Sequence, residues 1–200
     1  MSGYARAAMT RGSAILLGAL VGATLAFDAP LLAQDQTPSA RGWRVQGEGG
    51  QAFAPASQRF AEFAGAGLAR DFRLVSHLGG AVELYPLLAI HQTREDHLSR
   101  ETVPAVAAAL LVTFTIGPPA GAWNVRMDAG SGLFYATHRV PAQGSRANFF
   151  DQGGLWLLHR LASGRRVRAG YRYVHISNLS LLGDINPGLT FHALALGLDL

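Results

Sequence analysis

Val103-Pro-Ala-Val-Ala-Ala-Ala-Leu-Leu-Val-Thr-Phe-Thr-Ile116 decides the fold. It is the most apolar run beyond the N-terminal region, yet it is too short to cross a bilayer as a helix, which takes about 20 residues. Val106, Leu110, Val112, Phe114 and Ile116 share one parity, while Ala105, Ala107, Ala109, Thr113 and Thr115 share the other. Large apolar residues on one face and small or polar ones on the other describe a strand, because successive side chains alternate across a pleated chain.

The same period of two recurs outward from this run. Val82, Leu84, Leu88 and Ile90 alternate with Glu83, Tyr85 and His91. Val167, Ala169, Tyr171 and Tyr173 alternate with Arg168, Gly170 and Arg172. Leu194, Leu196, Leu198 and Leu200 alternate with Ala193, Ala195, Gly197 and Asp199. Segments of about ten alternating residues separated by turns are the pattern of a membrane β-barrel. A soluble barrel makes the same pattern and stands as an alternative, a periplasmic protein holding an apolar ligand. Strands are predicted at 43–53, 58–69, 72–91, 103–116, 123–138, 147–161, 165–178 and 189–200, the third overlong and expected to bend at Gly79-Gly80. The predicted fold class is thus all-β, an eight-stranded antiparallel outer-membrane β-barrel. Its small inward residues imply a narrow, filled interior and exclude a wide pore.

The chain's first residues agree with export. Arg6 and Arg11 precede an apolar run from Gly12 to Phe27, and small residues follow, with Ala26, Ala29 and Ala33 as competing cleavage positions. This is the order of a secretory signal. The expected organisation is a signal peptide at 1–33, a flexible lead-in at 34–42 and a transmembrane barrel domain at 43–200. Only 15% of the residues are charged, against about 25% in ordinary soluble domains. The chain has no cysteine, so thiolate metal sites and disulfides are excluded. The formal charge is +4, and its arginines are scattered instead of clustered. That argues against nucleic acid as a partner. Arg94, Arg100, Arg139 and Arg146 read as ordinary loop arginines, with lipid phosphate as the alternative partner.

The chemistry concentrates in Gly170-Tyr-Arg-Tyr-Val-His-Ile-Ser-Asn178, followed by Asn186-Pro-Gly188. His175 and Ser177 lie two apart on a strand and so project from one face. A serine hydroxyl becomes a useful nucleophile when an adjacent base takes its proton, and imidazole is suited to that near neutral pH. Arg168 and Arg172 avoid hydrocarbon by pointing inward, which turns Tyr171, Tyr173, His175 and Ser177 outward to lipid. With eight strands and both termini periplasmic, strand seven runs outward and carries the pair into the outer leaflet, where lipopolysaccharide resides. His77, His97 and His138 read as ordinary surface or interior residues.

These residues, with Asn148-Phe-Phe150, Gln152-Gly153 and Leu196-Gly-Leu198, resemble the lipid A 3-O-deacylase (PagL-like) family, also described as acyloxyacyl-hydrolase-like. The resemblance implies an eight-stranded outer-membrane serine esterase that removes the 3-position ester-linked acyl chain of lipid A. It implies Ser177 as nucleophile, His175 as general base and Asn186 at the oxyanion site, with no cofactor or metal. Its partners would be lipid A or lipopolysaccharide in the outer leaflet, and the assembly a monomer or homodimer. The family's glutamate, four residues after that asparagine, is Thr190 here, with Asp184 or His192 as possible substitutes. Without the acid, a catalytically impaired barrel with a structural or lipid-binding role is the alternative function.

Overall fold

The computed structural model describes residues 42–52, 60–96, 98–118, 120–181 and 187–200. The expected signal peptide and nearly all of the lead-in lie outside the described residues, as do His97, Asp184 and Asn186. The rest forms eight strands: β1 (Trp43–Ala52), β2 (Ala61–Arg73), β3 (Leu78–Thr93), β4 (Arg100–Ile116), β5 (Trp123–Val140), β6 (Ser145–Arg160), β7 (Arg166–Ser177) and β8 (Leu189–Asp199). Each pairs antiparallel with its chain neighbour, and β1 pairs with β8, so the sheet closes on itself. Closure leaves no unpaired edge, which is what allows a sheet to stand in hydrocarbon.

The run from Val103 to Ile116 behaves as its parity dictates. Ala105, Ala107, Ala109 and Thr113 are buried, while Leu110 and Val112 are each 60% exposed. Leu194 and Leu196 on β8 are exposed likewise, at 75% and 68%. Apolar side chains this open to the outside form a belt fit for lipid, since a water-soluble wall would not carry so continuous a patch.

Two expectations along the third strand are corrected. The chain does not bend at Gly79-Gly80. It turns at 74–77, where the Leu74 and Val75 amides both donate to the Leu78 carbonyl at 3.0 Å, so Phe72 and Arg73 end β2. Gly80 instead seats the Phe72 ring: a Cβ there would lie 2.3 Å from that ring. The alternation also breaks. Val82 and Leu84 face outward, but Leu88 and Ile90 face inward. A register shift between Tyr85 and Leu88 inserts Pro86-Leu87 as two successive exposed residues, and a bulge of this kind moves every following side chain to the opposite face. Glu83 and Tyr85 therefore point into the barrel, whereas His91 points out.

The interior is filled in two zones. Towards the β7–β8 connection it is apolar, with Phe63, Ile90, Val103, Phe134, Phe150, Ile176 and Phe191 in one cluster. Towards the chain-terminal end it is ionic. Asp71 accepts from Arg44 at 2.7 Å and from Arg126 at 2.9 Å, Glu83 accepts from Arg172 at 3.1 Å and also from Arg44, and Arg168 pairs with Asp199. The Arg172 guanidinium also lies 5.3 Å from the Trp156 ring centre, and the Trp156 indole donates to Asp128 at 2.7 Å. Cation and carboxylate placed together keep each other's charge compensated away from bulk water.

Candidate active site

Strand β7 carries the chemistry because its parity splits two needs. Arg168 and Arg172 turn into the ionic zone and are buried, and Tyr171 and Tyr173 stand on the outer wall about 40% exposed. Two residues further on, His175 is half-buried on that outer side. Its register partners are Asp151 on β6 and Thr190 on β8. Directly opposed residues of paired strands hold their Cβ atoms about 4.5–5.5 Å apart, so the three side chains form one lateral row.

The row is joined by hydrogen bonds at both ends. His175 Nδ1 lies 2.9 Å from Thr190 Oγ1. The Ser131 hydroxyl on β5 donates to Asp151 Oδ1 at 2.6 Å. With Nδ1 occupied, Nε2 is the ring nitrogen left for chemistry. It faces Gly188, whose backbone has φ of 49°, and a Cβ there would lie 3.2 Å from His175 Cε1 and 3.7 Å from Nε2. Glycine thus lets the returning chain pass close against the imidazole.

Ser177 is the last residue of β7, and it departs from the exposed position its parity implies. It is 2% exposed, and its Oγ has no hydrogen-bond partner among the described residues, His175 included. A buried hydroxyl left unpaired costs about 1–3 kcal/mol, and such atoms gather where function needs them. Just beyond it the chain reverses tightly. The Leu181 amide donates to the Asn178 carbonyl at 2.9 Å, and the Asn178 side chain accepts from the Ser180 amide at 2.9 Å. Leu179 and Ser180 have φ of 50° and 59°, a left-handed pair that residues with a Cβ rarely adopt. Strain of this kind persists where the surroundings over-determine it, often beside a functional site.

Of the residues singled out in the sequence, His175 and Thr190 are in contact, and Ser177 stands two residues along from the first with its hydroxyl free of both. His192 is drawn away from the imidazole row, against the Tyr171 hydroxyl. Asp151 was overlooked. Its signal was present, because its parity on β6 matches that of Leu155 and Leu157 on the outer wall, but only the pairing register aligns it with His175. Among the described residues no cluster of ligating side chains suits a metal ion.

Comparison with known proteins adds an independent line. A family model described as "Lipid A 3-O-deacylase (PagL)" matches residues 64–199. The crystal structure of the outer membrane enzyme PagL superposes with a TM-score of 0.58 at 21% identity, covering 77% of this chain and 97% of that one. Neisserial surface protein A superposes with a TM-score of 0.52 at 15% identity, covering 79% and 96%. No curated protein matches in sequence.

Proposed function

This chain belongs to the lipid A 3-O-deacylase (PagL) family, and from that premise we propose how it removes the 3-O-acyl chain of lipid A in the outer membrane: Ser177 is the nucleophile and His175 its base. The observation that carries this reading is the held imidazole. Thr190 fixes one nitrogen at 2.9 Å, Asp151 stands across the strand pair, and two residues along lies a buried hydroxyl with no partner among the described residues.

The reaction follows from those groups. Ser177 Oγ attacks the ester carbonyl carbon while its proton passes to His175 Nε2. The carbon–oxygen bond to the sugar then breaks, and the 3-hydroxyl leaves with that proton. Water, deprotonated by the same nitrogen, attacks the acyl-serine and releases a fatty acid, which restores both residues. Catalytic contacts are often long without substrate and tighten when it binds, so a rotation of the Ser177 side chain toward the imidazole is part of this reading. During attack the imidazole becomes a cation. A glutamate at position 190 would compensate that charge; threonine orients the ring but carries none. Asp151 supplies the negative charge from the opposite side of the row. Asn186 is proposed, on the family resemblance, as the amide donor to the oxyanion, a contribution usually among the largest in acyl transfer.

The test is lipid A acylation by mass spectrometry in cells making the native protein or its Ser177→Ala variant. Loss of the 3-position chain with native protein and its retention with the variant are expected. Equal deacylation by both would remove Ser177 from the mechanism.

A further inference from the structure

The outer wall carries the active-site row twice. Across β5–β8 it reads Ser131, Asp151, His175, Thr190: a donor, an acid, a histidine and a threonine. Across β1–β4 it reads Gln51, Glu62, His91, Thr102, in the same order of roles and each opposed to the next by register. The bonds repeat as well. Gln51 Nε2 donates to Glu62 at 3.0 Å, as Ser131 donates to Asp151, and His91 Nδ1 lies 3.1 Å from Thr102 Oγ1, as His175 Nδ1 does from Thr190. His91 faces outward only because the bulge at Pro86-Leu87 turned it. The two histidines are four strands apart, roughly 19 Å around the wall at about 4.8 Å per strand.

The second row borders a groove of about 350 Å³, lined by Gln51, Glu62, Ala64, Ala89, His91 and Thr102. Small residues oppose each other along its floor, since Gly49 pairs with Ala64 and Ala64 with Ala89. Nearby, the Arg100 guanidinium sits 4.0 Å from the centre of the Phe60 ring, which meets His91 edge-on.

One difference separates the rows. Ser177 stands two residues after His175, and Thr93 two residues after His91. The Thr93 hydroxyl is committed, donating to the Phe60 carbonyl at 3.3 Å and lying 3.2 Å from the Phe60 amide, whereas the Ser177 hydroxyl has no partner among the described residues. The second row therefore has the groups that recognise a substrate without a free nucleophile.

We propose that the β1–β4 wall is a second, non-hydrolytic docking site for an acylated amino-sugar lipid of the lipid A class. The glycolipid's hydroxyl and amide groups meet Glu62 and His91, Arg100 takes a phosphate, and an acyl chain lies over the small-residue floor. The choice of ligand rests on the deacylase reading above, because it is the likeness to the row at His175 that identifies it.

Native mass spectrometry of the detergent-solubilised full chain tests this. Ser177→Ala protein, which would not consume ligand, is mixed with synthetic hexa-acyl lipid A or, separately, with phosphatidylglycerol. Two lipid A molecules per chain are expected, falling to one on adding either His91→Ala or the paired Glu62→Gln and Thr102→Val, and also to one on adding His175→Ala. Only variants that keep heat-modifiable gel migration count, since that migration reports a folded barrel. A second lipid A indifferent to both β2–β4 variants overturns the inference, as does phosphatidylglycerol filling that position equally well. Deacylation by protein with Ser177 intact is read alongside. An active enzyme that binds one lipid A defeats the second site alone, and an inactive one that binds two defeats the deacylase reading alone.

Discussion

His175 and Thr190 are opposed across β7 and β8, and their Nδ1 and Oγ1 atoms lie 2.9 Å apart. In the proposed mechanism the contact sets the ring's rotation and leaves Nε2 for the reaction, but it brings no charge to the cation that would form. Thr190→Glu should therefore raise kcat about tenfold or more, since loss of an orienting acid in a serine triad costs orders of magnitude. Thr190→Val should lower it. Deacylation rates on purified lipid A in detergent read both, and a Glu variant slower than the native protein would show that the site has been rebuilt around threonine.

Asp151 offers its charge from the other flank. Asp151→Asn removes the carboxylate charge opposed to His175 across β6 and β7, so kcat should fall. Deacylation rates on purified lipid A in detergent read the loss. Asp151→Glu should recover part of the rate. A purely structural role for Asp151 would lower the amount of folded barrel and leave kcat per folded molecule where it was.

Gly188 stands close against the imidazole. Gly188→Ala would bring a Cβ within 3.2 Å of Cε1 on a backbone with φ of 49°. The substitution should slow hydrolysis several-fold by displacing the ring, at a stability cost of about 1–2 kcal/mol from the left-handed backbone. Single-turnover kinetics separate the two effects.

Glu83 joins Arg44 and Arg172 at the centre of the ionic zone. Glu83→Ala leaves these guanidinium groups short of a buried counter-charge, and breaking a buried pair from one side costs about 3–5 kcal/mol. The temperature at which the folded band converts in gel migration should drop clearly. Deacylation below that temperature should persist, because Glu83 and its partners face the lumen whereas His175 stands on the outer side of the wall.

Much of this protein could be read from parity alone. Leu110 and Val112 announce their outward face, Arg168 and Arg172 their inward one, and together they place His175 on the wall. What parity could not show was a change of phase. Nothing in Tyr85-Pro-Leu-Leu88 states that the register slips there, so His91 was assigned to the wrong side and the second row stayed hidden. Asp151 escaped for a related reason. Its partner is chosen by how β6 and β7 align, a long-range property that a single strand does not encode. The Ser177 hydroxyl, by contrast, is buried by the strand's end and the turn after it, where alternation stops applying.

A lumen packed with rings at one end and ion pairs at the other offers no route through the wall. Both products of hydrolysis, the fatty acid and the trimmed glycolipid, must therefore depart sideways into the same leaflet the substrate came from. The protein alters the composition of that monolayer without moving anything across it.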